Sequence, residues 1–355
     1  MSRRIVSTLA CCLLLASPSA LGARSSAAAG ARAASKATQT SWAQAEIRYV
    51  VSRGLMARTV ASFRPTDALT KGELATLVAN LTQQAPAAVA SPSAPVTVAQ
   101  LDTRLVKVLG LSDAAATFSA NARAANLATP SRFGTETVAR LLGLRTNHPA
   151  RSDDLELLPT DPVTRAETAY SVSKLLHFRG WEAQYAEDAA ASFQLPRPTA
   201  WQKRVLDTAV RFVGFPYVWG GTSEKPEAPF GIEAPGGFDC SGFVWRVYKL
   251  QAYPGGAALS ATIRGRTTYQ MSGEVPRTKR ISFARLAPGD VLFFGPAGPR
   301  SRPASIGHAG IYLGAGWMIH SSGQGVAVTP LTGWYRQQFA WGRRPLAEAG
   351  LAVAR

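Results

Sequence analysis

The apolar positions change period along the chain. After Trp42, Ala45, Ile47, Val50 and Val51 recur at helical spacing, and Gly54 stops the run. Helices are also predicted over residues 74–81 and 168–176, and over 201–212, where Val205, Leu206, Ala209 and Val210 share a face. Phe243, Val244, Val247 and Leu250 predict one more, starting at Cys240 with Asp239 as its cap. Beyond it the period shortens. Residues 291–294 form a short apolar run of strand length. Residues 307–313 and 317–321 are β-like runs around Gly314-Ala315-Gly316 and read as a hairpin. A three-residue turn there puts His308 and His320 on one face, the only register in which the apolar faces also agree.

Composition marks where these elements stop. Residues 1–23 have the basic start, short apolar run and small-residue cleavage site of a secretory signal peptide. Cys11 and Cys12 lie inside it, too early in the run for lipidation. Residues 24–40 are Ala/Ser-rich and read as a flexible lead-in. Two further stretches, 85–95 and 182–200, read as linkers. The expected organisation is a helical region over 41–181, a second domain over 201–346 and a tail over 347–355. No segment after the leader is apolar enough to span a bilayer. The net charge of +17 points to an anionic partner. It is not gathered into a basic run, and no nucleic-acid-binding motif is present, so nucleic acid is not expected.

The helical region repeats. Pro65, Asp67, Thr70 and Glu73 recur at one offset as Pro159, Asp161, Thr164 and Glu167. The spacing has a local logic: Thr caps the following helix and Glu three residues on closes a capping box. Thr164-Arg165-Ala166-Glu167 and the altered Thr70-Lys71-Gly72-Glu73 resemble the S-layer homology domain, a helical module usually present as three copies. A degenerate middle copy is expected around residues 129–142. The resemblance implies an all-α repeat domain that attaches to a cell-wall polysaccharide.

The candidate chemistry lies downstream. With the leader removed, Cys240 is the single thiol of the chain, so no internal disulfide is available to it. At a helix start its thiolate would be stabilised by unpaired N–H groups and the dipole. A thiol nucleophile needs a base, and the base an orienting group. Cys240, His308 and His320 supply the three types. A metal site is not expected, because no carboxylate lies near either histidine in sequence, and no cofactor is expected.

Four motifs in order, Tyr217-Val218-Trp219-Gly220-Gly221, Phe238-Asp239-Cys240-Ser241-Gly242-Phe243, Pro288-Gly289-Asp290-Val291-Leu292-Phe293-Phe294 and Gly307-His308-Ala309-Gly310-Ile311-Tyr312, resemble the NlpC-type cell-wall endopeptidases. The resemblance implies an α+β, papain-like fold with helices packed on an antiparallel sheet. It implies Cys240 as nucleophile, His308 as base and His320 as third member. Tyr217 is then expected at the oxyanion or substrate carbonyl, with Asp239 and Ser241 helping to seat a peptidoglycan stem peptide. The implied product is a secreted, wall-associated thiol protease cutting between D-glutamate and the diamino acid. A silent wall-binding protein, or an amidase or acyltransferase on the same fold, would use the same residues. The departure from the pattern is the long loop over 223–237.

Overall fold

The computed structural model describes residues 41–148 and 156–351; the expected leader and lead-in lie outside them. From Ser41 onward the chain forms one compact unit. Its first part is helical: α1 (Gln44–Ser52), α2 (Lys71–Thr82), α3 (Val98–Val108), α4 (Ser112–Ala124), α5 (Phe133–Leu141), α6 (Arg165–Leu176) and α7 (Trp181–Ser192).

Three extended segments meet in a closed ring of backbone hydrogen bonds. Leu69 donates to the Val163 carbonyl at 2.8 Å, Val163 to Val96 at 2.8 Å, and Val96 to Leu69 at 2.9 Å. All three side chains are buried. One residue beyond each, Thr70, Thr97 and Thr164 cap α2, α3 and α6 by accepting from the N–H three residues on. The ring therefore joins three copies, and the middle one is Pro95-Val96-Thr97-Val98-Ala99-Gln100 rather than the stretch around 129–142. Gln100 replaces the signature Glu but still returns to the Thr97 N–H. Residues 129–142 instead provide α5, a buried helix without a side-chain cap. The end of the expected 85–95 linker is also docked, with the Pro92 and Ala94 carbonyls accepting from Gly72 and Lys71.

The expected 182–200 linker is helical over its first part. Alanines that read as linker composition let α7 lie close to α4: Ala186, Ala189 and Ala190 are buried. Phe193, just beyond, packs on Phe118 and on Trp317 at centroid distances of 5.1 and 5.0 Å. Trp317 belongs to the sheet, so helices and sheet share one core.

That sheet follows α8 (Ala200–Val210), the short ribbon of β1 (Thr222–Ser223) and β2 (Gly237–Phe238), α9 (Cys240–Trp245) and α10 (Thr268–Gly273). Its strands are β3 (Val291–Phe294), β4 (His308–Gly314), β5 (Trp317–Ser322), β6 (Gly325–Pro330) and β7 (Phe339–Arg343), antiparallel in the order β6-β5-β4-β3-β7. The one-turn helix α11 (Gly333–Gln338) precedes β7. Ile311 faces Ile319 across the β4–β5 pair, so His308 and His320 do share a face. The hairpin reaches that register through a tight Ala315-Gly316 turn and a shift between Tyr312 and Gly314, rather than a plain three-residue turn.

The two parts are pinned together by charge. Arg140 of α5 is fully buried and bonds Glu136 at 3.1 Å, Glu156 at 2.9 Å, the Gly214 carbonyl at 2.7 Å and the Gln324 carbonyl. Gly214 ends the α8 region and Gln324 sits in the β5–β6 turn. Asn147 adds a bond from its N–H to the Gly323 carbonyl. Removing the guanidinium strands two buried carboxylates. Arg140→Ala is expected to lower unfolding free energy by about 3–5 kcal/mol in denaturant titration. Arg64→Ala, at an exposed pair with Asp67, is expected to cost below about 1 kcal/mol. Equal, small losses would contradict the clamp.

Candidate active site

Asp239 has extended φ/ψ, and its Oδ1 accepts the Gly242 N–H, which starts α9 at Cys240. Gly242 is required by contact: a Cβ there would lie 1.9 Å from the Gly221 carbonyl oxygen. α9 packs on β4 and β5. The backbone N–H groups of Ala309, next to His308, and of Ser241 lie near enough to the Cys240 thiol to favour its charged form. Cys240 is the free cysteine of the described residues.

His308 Nε2 lies 2.8 Å from His320 Nδ1, and His320 Nε2 lies 3.0 Å from the Thr329 hydroxyl. Read as donors in series, His308 Nε2–H donates to His320 Nδ1, and His320 Nε2–H donates to Thr329. This leaves His308 Nδ1 with a lone pair, as a base requires. His320 is buried, and Tyr335 of α11 covers its ring at a centroid distance of 5.1 Å. The histidines expected to act together are thus joined, and Thr329 is an addition. Thr329 lies on β6, a strand with no sequence motif to mark it.

Asp239 and Ser241 are committed to the protein. Asp239 accepts from Gly242, Ser241, Gly220 and both terminal nitrogens of Arg266. Ser241 also accepts from Arg266 at 2.7 Å. Arg266 reaches on to the Gly220 and Gly221 carbonyls. It therefore ties the Cys240 helix start to the 217–221 segment, and is the functional residue the sequence reading missed; it sits in a polar stretch without a motif. Tyr217 is half-buried in this group. Burial first, then the nearby Cys240 and Asp239 charges, hold its hydroxyl well above the usual range, so it remains a donor.

Electrostatics correct one expectation. Burial, then the Asp239 charge, pushes the Cys240 thiol up to about 11 despite the two N–H groups. Burial pushes His308 down to about 4, and burial, then the His308 charge, lowers His320 as well. α9 has only six residues and carries a carboxylate at its N-cap, so its dipole does not offset desolvation. These shifts favour a thiol beside a neutral imidazole over a standing thiolate.

The 223–237 loop is built, not loose. Glu227 accepts from the Thr222 and Ser223 N–H groups, and Glu224 pairs with Arg211 and Arg246. It presents Phe230 (80% exposed) beside Gly220, the residue after the exposed Trp219.

Comparison with known proteins agrees with this arrangement. Residues 214–344 match the NlpC/P60 family, and residues 37–75 match the S-layer homology domain. A probable endopeptidase of Mycobacterium tuberculosis is 38% identical over 124 residues, 35% of this chain and 24% of that protein. A gamma-D-glutamyl-L-lysine dipeptidyl-peptidase of Bacillus subtilis is 29% identical over 128 residues, 36% of this chain and 34% of that protein. The chain thus spans about a quarter to a third of the length of these relatives. Among solved structures, the NlpC/p60 domain of the peptidoglycan hydrolase SagA is 28% identical with a TM-score of 0.29, covering 40% of this chain and 97% of that one. The C-terminal part is an NlpC/P60 domain, and the N-terminal part carries an S-layer homology domain.

Two measurements check the electrostatics. The rate of Cys240 alkylation by iodoacetamide should keep rising through pH 9–11; a plateau between pH 5 and 7 would mean a preformed ion pair. His308 binds its proton less tightly folded than unfolded, so the unfolded chain takes up the extra proton between pH 6.5 and about 4. Stability should therefore fall as pH drops through that window, and a His308→Asn variant should show a shallower fall in melting temperature; identical slopes would contradict the assignment.

Proposed function

We propose that this chain is a secreted cell-wall endopeptidase in which residues 201–346 hydrolyse peptidoglycan stem-peptide amides, between D-glutamate and the diamino acid, while the 41–181 repeats hold it to the wall. The observation that carries this reading is the hydrogen-bonded series His308–His320–Thr329 beside the Cys240 thiol.

In the proposed step, Sγ attacks the scissile carbonyl as its proton passes to His308 Nδ1. The S–C bond forms and the carbonyl pair moves to oxygen. Backbone N–H groups at the α9 start and the Tyr217 hydroxyl receive that oxyanion. As the C–N bond breaks, His308 returns the proton to the leaving amine. Water, deprotonated by His308, then attacks the thioester, and Sγ leaves and regains its proton. The pairing of a neutral thiol with a neutral base fits this order, because charge separates only when a substrate is present to use it. Asp239 and Ser241 serve by holding Arg266 and the helix start, with Ser241 at the edge of the peptide site.

Attachment to the wall would fall to groups other than the signature arginine. Arg165 of the intact signature is buried, and its three nitrogens bond Phe63, Glu73 and Met56. Its guanidinium is thus already committed to the protein, although it helps to line the groove there. The groove beside it, about 640 Å³, is lined by the exposed Arg58 and by Asn80, and these are the groups we assign to an anionic wall polymer. Among the described residues no helix is long and apolar enough to cross a membrane.

Digestion of purified peptidoglycan by the full chain should release stem fragments identifiable by mass spectrometry, and Cys240→Ala should release none. Fragments from both proteins, or from neither on walls of several chemistries, would overturn the peptidase reading. Thr329→Val should lower kcat about 10-fold with little change in KM, Thr329→Ser restoring it; an unchanged kcat would remove Thr329 from the series.

A further inference from the structure

The first helical residue of α7, Trp181, is the most exposed aromatic of the helical part at 64%, although a core position is the ordinary expectation for an indole. Tyr185, one turn on, is half-exposed, and the two rings stand edge to face at 6.5 Å. They wall a pocket of about 340 Å³ that also takes Lys174 and His177 of the α6 end, Glu182, and Gln324 of the β5–β6 turn. The pocket therefore spans the helical part and the peptidase sheet.

Two of its polar groups lie close together. Lys174 Nζ and Gln324 Nε2 lie 3.9 and 3.8 Å from one point beside Gly143, where a Cβ would stand if that residue had one. Neither side-chain group has a hydrogen-bond or ion-pair partner among the described residues. The Gln324 backbone, by contrast, is fixed by Arg140. Two unpartnered donors this close together suit an oxygen acceptor, and the exposed indole and phenol beside them suit a flat apolar face. A pyranose offers such a face through its axial C–H bonds, and an acetamido carbonyl beside the ring supplies the acceptor.

We propose that this pocket binds an N-acetylated pyranose of the peptidoglycan glycan strand. The location supports that occupant and rests on the peptidase reading above. With Ile311 opposite Ile319, the end of β5 lies beside the start of β4, where His308 stands. Gln324 follows His320 by four residues around that same end, on the order of 10 Å along the chain. A sugar held there would keep its attached stem peptide within reach of Cys240. Because Arg140 locks the turn to α5, the distance between sugar and nucleophile would be set by rigid elements rather than by a linker.

The test titrates the full chain carrying Cys240→Ala with the N-acetylglucosamine tetramer, followed by isothermal calorimetry, and measures pull-down on sacculi before and after hydrofluoric acid removes accessory polysaccharide. Binding should weaken at least 10-fold in Trp181→Ala and in Lys174→Ala, with melting temperatures unchanged because both side chains are exposed. Binding to stripped sacculi should persist. Tetramer affinity unchanged by both substitutions, no tetramer binding at all, or loss of sacculus binding on stripping would each overturn the proposal. In the Cys240 background, hydrolysis of a soluble γ-D-glutamyl stem peptide should be the same with and without Trp181→Ala. Absent hydrolysis with intact sugar binding would sink the peptidase reading alone, so the two failures can be told apart.

Discussion

A single buried guanidinium sets the relation between the two parts of this molecule. Arg140 has no access to water, so each of its nitrogens must be met by protein. It meets them with two carboxylates on the helical side and two backbone carbonyls, of Gly214 and Gln324, on the C-terminal side. Such an arrangement tolerates no sliding: a shift of about 1 Å would leave a charge unpaired in a dry environment, where several kcal/mol are at stake. The repeats are therefore held fixed against the C-terminal domain. The aromatic contacts of Phe118 and Phe193 with Trp317 extend the same join through the apolar core.

Around the thiol the governing quantity is desolvation. Burial raises Cys240 and lowers His308, and Asp239 adds negative charge where a helix dipole alone would have favoured a thiolate. Asp239 accepts from five donors that build the site: two backbone N–H groups, the Ser241 hydroxyl and two nitrogens of Arg266. Geometry is thus maintained at the expense of a preformed ion pair. The histidine series, closed by Thr329, occupies His308 Nε2 and leaves Nδ1 as the nitrogen free to accept a proton.

Much of this was legible in the chain itself. Cys240, His308 and His320 stood out because a lone thiol and two strand histidines are rare residue types with a joint chemical use, and the apolar alternation fixed their common face. The repeats were visible through Pro, Thr and Glu at constant offset, yet the middle copy escaped because Gln100 caps as well as Glu while breaking the signature. Helix α7 was read as linker because alanine is common to linkers and to closely packed helices, and only the partner α4 distinguishes them. Arg266 and Thr329 carry no local signal; each acquires its place from residues at least nine positions away. The exposure of Trp181 is likewise a property of the packed whole.

The central claim is that Cys240 forms a covalent acyl intermediate with a stem-peptide carbonyl. The most direct measurement is turnover of a soluble γ-D-glutamyl-diamino acid peptide in hydroxylamine, with products resolved by mass spectrometry. The account predicts a hydroxamate at the newly released carboxyl end in wild type and none with Cys240→Ser. Cleavage that yields only the free acid, at any hydroxylamine concentration, would mean direct attack by water and would contradict it.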